Sequence, residues 1–210
     1  MNKEQLTKLI QIVKANQSLM QLFDALDQIG LKNYYIGAGA VTQSVWNALS
    51  GYPIDYGISD IDLVYFDDRH LEESHEQELK RRIVAILPDF PLWIDLKNQA
   101  RVHIWYKDKF GYEIQPYESL EHAINTWPTT ATSLGLRREN GEDWVVYAPF
   151  GIEDIFSMKI KANSRQITEE IYMKKVNKWT KKWSGLVYEP WSEIQGPIVH
   201  DRPIQFEYSI

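Results

Sequence analysis

Residues 33–66 read NYYIGAGAVTQSVWNALSGYPIDYGISDIDLVYF, and no other stretch constrains the fold as much. The run Tyr34, Tyr35, Ile36 predicts a short buried strand, and Gly37, Ala38 and Gly39 predict a tight turn. Val41, Val45, Trp46 and Leu49 then recur at helical spacing, which puts them on one face of a helix. Residues 50–59 carry the glycine and proline of a loop, and the apolar run from Asp60 to Phe66 predicts a second strand. Side chains two apart in a strand point the same way, so Asp60 and Asp62 project side by side. Two carboxylates so placed repel each other unless water screens them or a cation joins them, and the sequence puts them opposite a glycine turn.

That turn precedes a helix N-terminus expected just after Gly39. Free N–H groups and the positive end of the helix dipole favour a phosphate there, and glycines allow close approach. It is not a dinucleotide fingerprint, because Thr42 stands where the third glycine belongs, and it lacks the lysine of a P-loop.

The flanking chain supplies packing elements and further polar groups. Two helices are expected over residues 3–29, with Asn16 to Ser18 separating them and Gly30 as the stop. Asp67 or Asp68 is expected to cap a helix running to about Leu87, with His70 and His75 on solvated surface. Residues 92–96 and 102–106 read as strand pieces. Asp95 falls inside the first, where an unpaired carboxylate is costly. Lys97, Asn98, Gln99, Arg101 and His103 form a polar cluster beside it; the guanidinium of Arg101 suits an anion, and His103 reads as structural or as facing a ligand.

Residues 117–127 predict a short helix, and residues 134–138 and 144–147 flank Asn140-Gly141 as a hairpin. Short and long helices are expected over 152–158 and 166–183, and an irregular tail over 184–210. These divisions suggest a core with N-terminal helices over residues 1–116, an α/β extension over 117–183 packed on it, and the tail.

Net charge is −6, so the overall field does not attract nucleic acid. The balance is uneven: residues 159–183 hold eight Lys/Arg against two Glu, and residues 1–158 hold fourteen Lys/Arg against twenty-three Asp/Glu. The basic helix reads either as a solvated face packed on an acidic body or as a clamp for phosphates or RNA. Its stripe of Tyr172, Val176, Trp179 and Trp183 reads as packing rather than as a base-stacking platform. No cysteine occurs, which excludes disulfides and thiolate metal sites and fits a cytoplasmic location; no signal peptide or membrane span is expected.

Asp60, Asp62 and Asp95 opposite a glycine turn suit two-metal phosphoryl or nucleotidyl transfer, since Mg²⁺ or Mn²⁺ bridges carboxylates to phosphates. Asp60 and Asp62 are expected to hold the metal and a nucleoside triphosphate. Asp95 is expected to complete a metal site and deprotonate the acceptor hydroxyl. Gly37, Ala38, Gly39, Lys97 and Arg101 are expected on the nucleotide, and Asn98 and His103 on the acceptor.

Gly37-Ala38-Gly39 followed by Asp60-Ile61-Asp62 resembles the G-[GS]…D-x-D arrangement of the DNA polymerase β nucleotidyltransferase superfamily. The phrases YIGAGAVTQSVWNALSGYP, SDIDLVYFD, KNQARVHIWY, TWPTTATSLGLR and APFGIEDIFSMKIKAN resemble a bacterial nucleotidyltransferase-like family within it, formerly a domain of unknown function. They extend over about residues 33–183. The resemblance implies an α+β polymerase β-like fold, a mixed β-sheet flanked by helices, similar to the head domain of tRNA CCA-adding enzymes. It implies metal-dependent transfer of NMP from NTP to a hydroxyl, with Asp60 and Asp62 matching the metal aspartates and Asp95 the third acid. Ala38 interrupts the usual Gly-Gly or Gly-Ser pair, and the twenty residues between Gly39 and Asp60 exceed the usual spacing. The acceptor (RNA, protein or small molecule) and the oligomeric state stay open. The same residues also suit a non-catalytic nucleotide-binding or protein-interaction module, or a phosphohydrolase using the same carboxylates.

Overall fold

The computed structural model describes residues 3–141 and 143–193. Five strands form one mixed sheet: β1 (Tyr34–Gly37), β2 (Asp60–Tyr65), β3 (Trp93–Asn98), β4 (Gly135–Glu139) and β5 (Asp143–Tyr147), in the order β3-β2-β1-β4-β5. Only β2 and β3 run parallel; the other neighbours are antiparallel. The parallel pair needs a crossover, and α4 (Glu73–Ile86) supplies it. The C-terminal hairpin continues the sheet through the pairing of β4 with β1, with Asn140 and Gly141 both at positive φ in its turn.

One face of the sheet carries Ile36, Leu63, Leu96, Leu136 and Val146 into the main core. There it meets α1 (Lys3–Ala15), α2 (Gln17–Ile29), α3 (Ala38–Ser50) and α4. As the sequence predicts, Asn16 caps α2 by accepting the Leu19 N–H, and Gly30 ends it in the left-handed conformation. Tyr35, Val64, Val145 and Tyr147 occupy the other face, beneath Leu120 and Ile124 of α6 (Leu120–Ile124). Farther along that face the register brings Gly37 and Gly135 beside Asp62. Neither glycine has room for a Cβ: at Gly37 it would fall 2.1 Å from the Leu134 carbonyl oxygen, and at Gly135 2.6 Å from Tyr35. The sheet is therefore bare around Asp62, and an open cleft replaces the helix that covers the rest of the face.

Three expectations are corrected. Residues 102–106 are not a strand but the start of α5 (Val102–Phe110). β3 is an edge strand, and Asn98 ends it by accepting the Ala100 N–H and starting a 3-10 turn. Asp67 and Asp68 do not cap α4, which begins at Glu73; Asp67 accepts the Arg69 N–H in a local turn instead. Within the expected tail, Val187 and Tyr188 form β7 (Val187–Tyr188), parallel to β6 (Lys159–Ile160). Residues 194–210 lie outside the described part. The short helix expected over 152–158 is α7 (Glu153–Phe156), and the basic helix is α8 (Glu169–Thr180); Tyr172, Val176 and Trp179 of α8, with Trp183 beyond it, are buried as the packing reading expects.

Candidate active site

A cleft of about 230 Å³ opens where β1 turns into α3. Asp60 and Asp62 of β2 form one wall together with Ala38, Gly39 and Gln43 of α3. Lys175, Lys178 and Trp179 of α8 form the opposite wall, and Trp127, Pro128 and Thr132 close the side. The cleft is thus acidic on one side and basic on the other.

Asp62 lies deep in it. Burial first, then the charges of Asp60 and Asp95, push its carboxyl up to about 6. Lys175 and a hydrogen bond from the Gly39 N–H act in the opposite direction. Burial also lowers the Lys175 ammonium, and Asp62 and Asp60 oppose that effect. Asp62 and Lys175 therefore feel each other across the cleft, although 113 positions separate them in the chain.

The turn is more committed than the sequence suggests. The Ala38 N–H donates to the Leu134 carbonyl at 3.1 Å, and the Gly39 N–H serves Asp62. Of the four N–H groups that a helix start leaves without helical partners, two are thus engaged. Ala38 itself has φ 49°, a left-handed conformation that costs a non-glycine residue about 1–2 kcal/mol.

Asp95 is the in-register neighbour of Asp62 across β2 and β3. Its carboxylate, however, stands 3.4 Å from Lys97 Nζ, and Asp60 accepts a 2.5 Å hydrogen bond from Ser59. The donor atoms of Asp60, Asp62 and Asp95 do not all lie within 4.8 Å of one another. Asp60 and Asp62 share the cleft, and Asp95 stands at its margin, turned to Lys97. An oxygen-rich set that raises one of its own carboxyls fits a hard divalent cation, whose charge removes that repulsion. For all three to share an ion, Asp95 must leave Lys97.

The remaining polar cluster is placed elsewhere. Lys97 is drawn between Asp95 and Glu76. Arg101 donates to the Leu71 carbonyl and lies 3.8 Å from Glu76. Asn98 is fully buried, and its amide donates to the Asp67 and His70 carbonyls. His103, on α5, has a buried Nδ1 without a partner in the described structure. None of these four lines the cleft. Gln43, Lys175, Lys178 and Trp179 do line it. In the sequence Trp179 reads as packing and the two lysines as part of a basic helix with two readings, and Gln43 carries no expectation. Their signal is periodic: residues 175, 178 and 179 share one helical face, and residue 43 follows Gly39 by one turn.

A β1–α3 turn facing paired aspartates on a mixed sheet defines a nucleotidyltransferase fold. Residues 24–188 match the sequence profile of a family described as nucleotidyltransferase, and the chain belongs to that family. It is also similar to a solved structure described as "The NMR structure of the protein reveals a CCA-adding enzyme head domain". That similarity has a TM-score of 0.71 at 25% identity, over 90% of this chain and 96% of the other. No curated protein matches the chain.

Proposed function

We propose that the cleft binds a nucleoside triphosphate with Mg²⁺ or Mn²⁺ and transfers its NMP to a hydroxyl acceptor, releasing pyrophosphate. The observation that carries the reading is the pairing of Asp60 and Asp62 with Lys175 and Lys178 across one cleft at the start of α3. A bound divalent ion supplies Lewis acidity at the phosphoryl oxygens. Asp60 and Asp62 hold it, with Asp95 as the third acid once freed from Lys97. Lys175 and Lys178 neutralise the β and γ phosphates, which become the leaving pyrophosphate. Ala38 and Gly39 at the start of α3 set the positive end of the helix dipole against the phosphate chain, and the part-exposed Trp127 offers apolar surface to the base or sugar. The acceptor oxygen attacks the α phosphorus as the bond to the bridging oxygen of pyrophosphate breaks. The hydroxyl proton passes to Asp95.

The contact between Asp95 and Lys97 favours a second reading, a nucleotide-binding module without turnover. Incubating the protein with each labelled NTP, Mg²⁺ or Mn²⁺ and cell extract separates the two. Labelled product that disappears in Asp60→Ala and Asp62→Ala supports transfer. Saturable metal-dependent NTP binding with no product on any acceptor supports the module.

A further inference from the structure

The chemistry of the cleft leaves one group of metal-ligating side chains unused. Asp67, His70 and His75 each present a donor atom, and these atoms all lie within 4.8 Å of one another. Among the described residues this is the one group of three or more His, Asp or Glu side chains so gathered. Asp67 Oδ2 is its centre, 2.8 Å from His70 Nδ1 and 3.7 Å from His75 Nε2. Two ligands held at about 2.0–2.1 Å by a tetrahedral ion stand about 3.3–3.4 Å apart, between those two distances. No ligand backbone has to move far to enclose an ion.

The backbone beneath the cluster is fixed. The fully buried Asn98 donates to the Asp67 carbonyl at 2.7 Å and to the His70 carbonyl at 3.1 Å, and accepts the Asp67 N–H at 3.0 Å. Arg101 holds the next carbonyl, that of Leu71, at 3.1 Å. His75 is brought in by the first turn of α4. Two ligands therefore ride on a loop pinned from within, and the third on a helix. All three side chains reach solvent, which leaves water for the remaining coordination positions. The imidazoles now stack with centroids 4.4 Å apart and 10° between planes. Binding turns them so that both nitrogens face one point, a small rotation for exposed rings.

We infer that Asp67, His70 and His75 form a second metal site, for a zinc-class divalent cation, distinct from the acidic cleft. Imidazole nitrogens favour Zn²⁺, Co²⁺ or Ni²⁺, whereas an all-carboxylate set suits Mg²⁺. Asp60 begins β2 and Asp67 follows two residues after its other end, and the six residues of the strand alone span about 20 Å, so one ion does not serve both places. The ion ties the end of β2 to the start of α4. The inference does not depend on the function proposed for the cleft.

The test is a Zn²⁺ titration of chelator-treated, ¹⁵N-labelled full chain in millimolar Mg²⁺, read by long-range imidazole spectra and by thermal melting. The ring nitrogens of His70 and His75 are expected to shift saturably, those of His103, His122 and His200 to stay in place, and Zn²⁺ to raise the Tm. His70→Ala and His75→Ala are each expected to weaken binding about tenfold or more and abolish the Tm shift. Asp60→Asn is expected to leave both responses intact. Binding unchanged in both histidine variants, binding lost in Asp60→Asn, or no saturable shift at His70 and His75 would each overturn the site.

Discussion

At the scale of the residue, Asp62 is a carboxyl held against burial and against the charges of Asp60 and Asp95. Its carboxyl, raised to about 6 from an ordinary value of 3.8, binds its proton more tightly in the folded state than in the unfolded one. A raised carboxyl contributes stability that is present below the unfolded value and is lost as pH rises through the folded value. The metal-free protein is therefore expected to lose stability between about pH 4 and pH 6–7 on this account. Asp62→Asn removes the ionisation, so in chelator-treated buffer at pH 8 the variant is expected to be more stable by about 1–3 kcal/mol. That advantage should shrink towards zero at pH 4. Urea denaturation at the two pH values checks it; an advantage independent of pH contradicts the assignment. Mg²⁺ should narrow the gap at pH 8 by stabilising the wild-type carboxylate alone.

The paired aspartates were legible because a strand's period of two states which side chains are neighbours. The lysines were not, because that rule says nothing about a helix more than a hundred residues downstream. Charge counting raised a phosphate clamp as one of two readings of residues 159–183, and the fold sets two of those lysines opposite Asp62.

Among the elements, the junction of β3 with α5 shows why local sequence misled. Residues 102–106 are VHIWY, rich in β-branched and aromatic side chains, and read as strand. Val102 and Tyr106, four apart, are nonetheless buried together, and Ile104 between them is exposed, which is helical behaviour. The deciding residue is Asn98. Its side chain accepts the N–H groups of Asp67 and Ala100, and its amide fills two loop carbonyls. Asn98→Ala would leave these groups unpaired in a buried place, so a loss of about 2–4 kcal/mol is expected in chemical denaturation. A loss under about 0.5 kcal/mol would show that water replaces the amide and that the loop is not pinned from within. The hairpin and the capped α1–α2 pair were readable because each is written by adjacent residues: Asn140-Gly141 in one case, Asn16 and Gly30 in the other.

Across the whole molecule, one aromatic cluster couples the two walls of the cleft. Trp46 of α3 meets Trp179 and Trp183 edge to face at 5.5 Å each. The Trp183 indole N–H donates to Asn47 at 2.7 Å, while Asn47 donates to the Ile54 and Tyr56 carbonyls of the long loop before β2. Lys182 adds a 2.7 Å bond to the Gly57 carbonyl. Residues 51–59, between α3 and β2, are thus a strap that seats the end of the basic helix beside the acidic strand. Trp183→Ala is expected to cost about 3–5 kcal/mol and to weaken NTP binding, because α8 loses its seat. Trp183→Phe keeps most of the packing but strands the Asn47 carbonyl oxygen, so a smaller loss is expected. Calorimetric melting with NTP titration measures both; unchanged NTP affinity in folded Trp183→Ala would show that α8 is not held through this cluster.

The measurement closest to the central claim follows α-³²P-labelled NTP incubated with the protein, Mg²⁺ and cell extract, quantifying labelled product and pyrophosphate together. The account predicts that label and pyrophosphate appear in equal amounts. It predicts that both fall at least about a hundredfold in Asp62→Asn, and that both fall in Lys175→Ala. Release of inorganic phosphate in place of pyrophosphate, or undiminished transfer by Asp62→Asn, would contradict it.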